Sequence, residues 1–473
     1  MNIDEHVMAA PVNADTRKFG TQHRLLISRG VALVSGLILL AGCAAVSEAR
    51  KVQKAETLPP GERTVSAREL GIDKSTVLSL KTAAEMALKY NPTVVQAGER
   101  LVSAQSQLAS KKGSYYPQVS ASVGTSRSAS ESSNSSSYSS GLSVSQYLYD
   151  FDKTDSQVRI YYYDALAAEY DLAQARKNIT YSVNEAYYNV LRQISAVRLA
   201  EETVRQNEKY LEQAKAFFEV GTKIKYDITK AEVNLGNAQL SLINARNALF
   251  VNRQIFNNVL GLSENPEYQL EESPVVISGV EASLGQTEQL FILAKSNNSE
   301  IKAQESRVKS SSASVDSAIA ALWPSLSLSG SYGFSGSDFP LNWARSVSAA
   351  LSMDLFKGGQ KTESIRIATA NLKSARTSLS SMEQRVFLDI TRARTQMLDA
   401  SQKLDVNKKI LQQAEENLNF IEQRYRIGKA SAIELTDAQV SLTKAQENII
   451  QSQFDYLIAR AALEKIVSGY SKP

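Results

Sequence analysis

Reactive side chains are nearly absent from this sequence. Its 473 residues include one cysteine, Cys43, and two histidines, His6 and His23. All three lie at the N-terminal end, so a mature chain beginning at Cys43 has no histidine and no second cysteine. That excludes Cys/His zinc sites, Ser–His–Asp triads, Cys–His dyads and structural disulfides together. No Gly-rich phosphate loop or HExxH motif accompanies the remaining carboxylates. The sequence therefore reads as a non-enzyme. An excess of one charge is missing as well: 53 Lys+Arg stand against 49 Asp+Glu. Removing the first 42 residues leaves 53−4 = 49 against 49−3 = 46, a mixed surface without the basic stripe that nucleic acid requires.

Long hydrophobic runs are scarce too. Residues 31–43 read Val-Ala-Leu-Val-Ser-Gly-Leu-Ile-Leu-Leu-Ala-Gly-Cys, after a flank that includes Arg24 and Arg29. As a helix this run falls short of the ~30 Å hydrocarbon layer, yet it suits the core of a signal peptide. Its end, Leu40-Ala41-Gly42-Cys43, resembles the bacterial lipobox, in which the thiol is lipidated and the chain is cut before the cysteine. The expectation is a signal peptide over 1–42, a lipid on Cys43 and no other cofactor. Ala44 follows, with no Asp there to retain a lipoprotein at the inner membrane, which favours the outer membrane.

What is present is a repeat. Shifted by 207 residues the chain falls on itself: Asn91 on Asn298 (298−91), Pro117 on Pro324, Arg159 on Arg366, Gly221 on Gly428, Ala231 on Ala438. Matches at Pro and Gly mark shared turns, so two copies of one structural unit are expected. A linker, 43–78, precedes the first copy, 79–262. A second linker, 263–285, joins it to the copy at 286–468, and 469–473 form a tail.

Each copy has the same internal order. A helical segment comes first, 79–112 or 286–322, with apolar residues at three- and four-residue spacing. Alternating strands follow at about 117–127 and 140–149, then 324–334 and 345–355. Val119, Ala121 and Val123 face one way and Gln118, Ser120 and Ser122 the other. Between the paired strands lie polar segments read as loops, the Ser-rich 128–140 and 335–344. Strands of about ten residues bracketed by aromatics suit a membrane barrel. Long Pro-free helices then run over ~153–219 and ~358–426. They turn at Gly221 and Gly428 and return over ~226–260 and ~431–467, giving two antiparallel helical hairpins.

Four strands cannot close a barrel, and open edges do not persist in lipid. Three chains would supply twelve strands, two only eight, which favours a trimer with a wet lumen. The competing reading is a lipid-anchored periplasmic coiled-coil scaffold or adhesin with no pore. The Pro-led strands, present twice, argue for the conduit.

The assembled residues resemble the TolC-like outer-membrane factor family over about 75–468. They include Ala87-Leu-Lys-Tyr-Asn-Pro92, Tyr116-Pro117, Trp323-Pro324, Leu355-Phe-Lys-Gly-Gly359 and Arg424-Tyr425…Gly428…Ile433-Glu-Leu435…Ala438. The resemblance implies a mainly α fold with a membrane β-barrel portion, assembled as a homotrimer with a twelve-stranded barrel and an α-helical coiled-coil tunnel. It also implies a passive exit duct for efflux or type I secretion, set in Gram-negative outer-membrane lipid. Its partners would be a periplasmic adaptor and an inner-membrane transporter; cargo is left open. By position, the family's carboxylate ring maps onto Glu434 and Asp437, and its gate contacts onto Asp227 and Tyr425. Such a ring favours cations and raises carboxylate pKa by repulsion. The family's latching Arg is replaced by Ala430, for which Lys223, Lys225 or Lys429 would have to substitute.

Overall fold

The computed structural model describes residues 73–74, 76–130, 133–222, 224–264, 266, 268–272 and 287–467. The expected signal peptide, Cys43, Lys223 and nearly all of both linkers lie outside the described residues. The chain divides into two compact units. One holds the four long strands and comprises, of the described residues, Ser110–Ser156 and Asp316–Ser364. The other holds most of the helical chain.

In the helical unit the repeat is visible element by element. Helix α1 (Leu80–Tyr90) begins at Ser79, whose Oγ accepts the Thr82 N–H at 3.2 Å. It stops at Asn91, because Pro92 disfavours helical geometry in the residue before it. Helix α2 (Pro92–Lys112) then starts with Pro in the first position, where a missing N–H costs nothing. Asn91 serves both helices. Its Oδ1 accepts the Thr93 N–H at 2.9 Å, and its Nδ2 donates to the Val259 carbonyl at 2.8 Å. One repeat later Asn298 does the same between α5 (Thr287–Asn297) and α6 (Ser299–Ala320). Its Oδ1 accepts from Glu300 at 2.8 Å and its Nδ2 reaches the Ile466 carbonyl at 3.4 Å. Each segment read from sequence as one helical stretch is thus two helices hinged on a buried Asn.

The long helices α3 (Lys153–Glu219) and α7 (Gln360–Arg426) have 67 residues each, about 100 Å at 1.5 Å rise. Their starts are 360−153 = 207 apart. The return helices α4 (Lys225–Leu260) and α8 (Ala432–Val467) have 36 residues each, with starts 432−225 = 207 apart. Helix α4 ends at Gly261, with φ +81°. A Cβ there would come within 2.7 Å of the Tyr90 carbonyl oxygen, so only glycine fits.

The main core packs Phe256 and Leu260 of α4 against Val183, Tyr187 and Val190 of α3 and Ala83 and Ala87 of α1. A short parallel pair, β1 (Val77–Leu78) with β4 (Gln269–Leu270), adds Leu78. Phe256, Leu260, Val183 and Val190 are fully buried, each worth roughly 1.5–3 kcal/mol of burial. The Tyr187 hydroxyl donates to the Glu271 carbonyl at 2.7 Å, and burial pushes its pKa up to about 12.

The strand unit is one antiparallel sheet in the order β2-β3-β5-β6: β2 (Gln118–Ser130), β3 (Ser133–Tyr149), β5 (Ser325–Gly336) and β6 (Asn342–Ser352). Two expectations are corrected here. The Ser-rich 128–140 segment is no loop, since the β2–β3 ladder continues to the pair Ser130–Ser133. Serine on both sides of the chain erases the alternation by which a strand is recognised. Strand β6 ends at Ser352 rather than 355, and Met353, Leu355 and Phe356 leave the ladder exposed. Gly358 (φ +55°) and Gly359 (φ +83°) then turn the chain into α7. The equivalent turn before α3 uses Phe151 (φ +52°) and Asp152 (φ +65°).

Candidate functional site

Two places carry the functional geometry, the faces of the sheet and the tips of the helical hairpins. In the sheet, register assigns every side chain to a face. One face is Ser, Gly and Ala almost throughout, and it has no charged residue on any of the four strands. Its hydroxyls pair across the ladder: Ser120 with Ser143 at 2.7 Å, Ser329 with Ser348 and Ser331 with Ser346 at 2.8 Å, and Ser325 with Ser352 at 3.1 Å.

The opposite face carries Val119, Val123, Leu142, Val144, Leu326, Leu328, Val347 and Leu351. Aromatic side chains gather at both ends of this sheet. Near the turns Tyr138 meets Phe339 at 5.4 Å and Tyr332 meets Phe334 at 5.6 Å. At the other end Phe151 stacks on Trp323 at 5.3 Å and meets Tyr149 at 4.7 Å. An apolar band with aromatic rims on one side and small hydroxyls on the other is the two-solvent sheet that a membrane barrel requires. Within the chain β2 and β6 remain edge strands.

At the hairpin tips Gly221 (φ +76°) and Gly428 (φ +74°) close α3 and α7. The Thr222 N–H returns to the Phe217 carbonyl at 2.9 Å and the Lys429 N–H to the Arg424 carbonyl at 2.8 Å, satisfying the last helical carbonyls. The return helices start differently. Ser431 and Glu434 form a complete capping box: the Glu434 N–H donates to Ser431 Oγ at 3.2 Å, and the Ser431 N–H donates to Glu434 Oε2 at 2.7 Å. The Ser431 backbone N–H, and after it the Ser431 hydroxyl, hold the Glu434 carboxyl below its ordinary range. Within a single chain its direction is therefore opposite to the rise that a repelling ring would produce. Asp437 is exposed one turn on.

The cap of helix α4 is Ile224, which has no side-chain oxygen to offer; Asp227 reaches back instead, its Oδ2 accepting the Ile224 N–H at 3.3 Å. Asp227 is buried, as is Tyr425, whose ring lies 6.1 Å from Phe217 edge-on. Burial and then the Asp227 charge raise the Tyr425 pKa. The structure thus brings Asp227 and Tyr425 together, and leaves Glu434 and Asp437 on the exposed side of α8.

Ala430 is buried in the same tip cluster as Tyr425, Leu435 and Ala438. It stands before the cap and Leu435 four residues after it, a hydrophobic staple. The position without the latching Arg is therefore an apolar plug. Two polar links between the tip halves of the hairpins were not foreseen, Tyr210 to Glu422 and Asn234 Nδ2 to Thr436 Oγ1 at 3.1 Å. Neither has a local sequence signal, because each joins residues about two hundred positions apart. The Ser431-x-x-Glu434 capping box did have one.

Comparison with known proteins places this geometry. The model of the family described as outer membrane efflux protein matches residues 83–262 and 290–469. The outer membrane efflux protein BepC of Brucella suis is 23% identical over 359 residues, 74% of this chain and 77% of the relative. The outer membrane protein TolC of Vibrio cholerae is 22% identical over 403 residues, 82% of this chain and 90% of its own length. The crystal structure of the open state of the Neisseria gonorrhoeae MtrE outer membrane channel superposes with a TM-score of 0.73 at 20% identity. That match covers 82% of this chain and 89% of the channel, and it establishes a shared fold.

Proposed function

The chain belongs to the outer membrane efflux protein family, and on that premise we propose that it is the outer-membrane exit duct of an efflux or type I secretion machine. It is a passive conduit. Three copies join β2 edges to β6 edges into a twelve-stranded barrel, and their helical hairpins side by side into a periplasmic tunnel. The carrying observation is the four-stranded sheet, which has one uncharged hydroxyl face, one apolar face with aromatic rims, and two edges unpaired within the chain. In lipid an unpaired backbone group costs several kcal/mol, so a sheet of this composition calls for its own copies.

A second observation supports assembly. Helix α4 exposes an apolar row, Tyr226, Val233, Leu240, Ile243 and Phe250, at three- and seven-residue spacing. That spacing is the seam of helices packing on neighbours. In this proposal the lipid on Cys43 tethers each chain to the outer membrane, and the helix tips meet a periplasmic adaptor and an inner-membrane transporter. Asp227 and Tyr425 act inside the tip as structural partners, while Glu434 and Asp437 line the entrance.

The test is planar-bilayer conductance of the purified full chain, with its mass in detergent determined on the same sample. A trimer with small, cation-selective openings is expected. A monomer or dimer without conductance would overturn the duct.

A further inference from the structure

The apolar face of the sheet carries two charges, Arg127 and Arg345, and both are cations. No acidic residue shares that face on any strand. Arg345 is the more deeply placed. Tyr332 stands directly across the ladder from it, and Val347 and Trp343 flank it along β6. Its guanidinium lies 6.0 Å from the Trp343 ring centroid, drawn toward the turn end of the strand. Among the described residues no carboxylate forms an ion pair with it. The turn's own carboxylate, Asp338, accepts its hydrogen bond from Ser337 Oγ at 3.0 Å.

A guanidinium keeps its charge at any pH the protein meets, so an apolar surroundings cannot neutralise it. On a lipid-facing surface that cost is steep at the bilayer centre and fades at the interface. Arg345 lies 352−345 = 7 residues from the Ser352 end of β6, about 23 Å along a strand. Strand tilt shortens that height, and the reach toward Trp343 recovers part of it by snorkelling. The charge then sits near the far edge of an apolar band ~25 Å tall, at headgroup level on the side of the β-turns. An aromatic platform leaves the N–H edge of the guanidinium, which forks onto paired oxyanions, open to whatever occupies that level.

We infer that Arg345, supported by Trp343, is a seat for the phosphate of an outer-leaflet lipid headgroup. The inference rests on the barrel proposed above. Lipid is the occupant because the site opens sideways from an apolar sheet face, beside Val347 and Tyr332, so a bound molecule must carry acyl chains past the leucines and valines below it. Wild type binds the lipid by a bidentate guanidinium–phosphate contact; lysine offers a point charge without the fork.

The full-length protein in detergent would be incubated with a diphosphorylated glucosamine-disaccharide lipid, or with the same lipid stripped of phosphate, and retention read by native mass spectrometry. Wild type should retain the phosphorylated form preferentially. Arg345→Gln should retain about tenfold less, as expected for losing one charge-assisted contact, and Arg345→Lys should fall between. Equal retention by wild type and Arg345→Gln overturns the seat, and so does equal retention of both lipids by wild type. Displacement of the lipid by an equal concentration of inorganic phosphate also overturns it, in favour of a free-anion site. If Arg345→Gln fails to fold, Arg345→Lys carries the comparison. Trimer mass and conductance on the same samples separate the two failures. A conducting trimer without lipid preference sinks only the seat, whereas a wild type that neither assembles nor conducts sinks the barrel beneath it.

Discussion

Helices α4 and α8 are the same element written twice, yet beyond their tips they meet the rest of the molecule differently. Helix α8 is covered by its own chain over most of its length: Leu435, Ala438, Leu442, Ala445, Ile449, Phe454, Tyr456 and Leu463 are buried, and only near the tip do Ile433 and Val440 stay exposed like their counterparts Tyr226 and Val233. Helix α4 buries only Asp227, Ala238, Phe256, Asn257 and Leu260 and exposes its apolar row. Where α4 has exposed Leu240, α8 has Glu447 (240+207). Ile243 is exposed while its counterpart Ile450 packs on the main core, so the two copies differ in their surroundings as well as in side chains. The unfinished copy marks the surface that a further chain would complete.

The sharpest way to break this comparison is to charge the exposed row of α4, taking Glu447 of α8 as the guide. Leu240→Glu combined with Phe250→Glu should abolish the proposed trimer, read as mass in detergent, while the helical circular-dichroism signal is unchanged. A double variant that still assembles would mean the exposed row is ordinary surface. The next effect is smaller and tests the hinges. Asn91 caps α2 and grips the Val259 carbonyl at 2.8 Å, whereas Asn298 reaches Ile466 at 3.4 Å. Asn91→Ala should destabilise by about 1–3 kcal/mol, from the lost cap and an orphaned carbonyl. Asn298→Ala should cost less, about 1 kcal/mol, in chemical denaturation followed by helix signal. Equal losses would show that the two hinges are equivalent despite their bond lengths.

The smallest effect concerns the turns into the long helices. The second copy enters α7 through Gly358 and Gly359, but the first enters α3 with Phe151 and Asp152 in the same left-handed region. Phe151 keeps its strain for a reason, its ring filling the aromatic rim between Tyr149 and Trp323. Asp152 has no such ring contact. Asp152→Gly should therefore stabilise by about 0.5–1 kcal/mol, the left-handed penalty less the extra chain entropy of glycine. A loss of stability would show that the Asp152 side chain contributes at that corner.

Much of this plan was legible before any coordinates. Pro, Gly and Asn recur at one offset, and those residues fix backbone geometry whatever surrounds them, so the helix starts and the glycine turns could be read in both copies. In the first copy the Asn91-Pro92 pair also carried the helix break, which the second copy makes at Asn298-Ser299 without a proline, and the grip of the two Asn on Val259 and Ile466 is tertiary. Illegible parts share a cause. The Ser130–Ser133 end of the hairpin has no apolar member to reveal its period, and the Tyr425–Phe217 contact joins helices of different copies. Ala430 looked like a missing arginine because its neighbours in space were unknown; with Leu435 beneath it, the position is a plug.

The serine ladder has one more consequence. Its hydroxyls bond to one another in pairs, Ser120 with Ser143, Ser329 with Ser348 and Ser331 with Ser346, and each pair still has an O–H and lone pairs to spare, so in the proposed duct the face would meet passing molecules with weak neutral hydrogen bonds and no charge. A wall of that kind is slippery. Solutes of either charge would find no ion pair along it to hold them, and transit time would be set elsewhere.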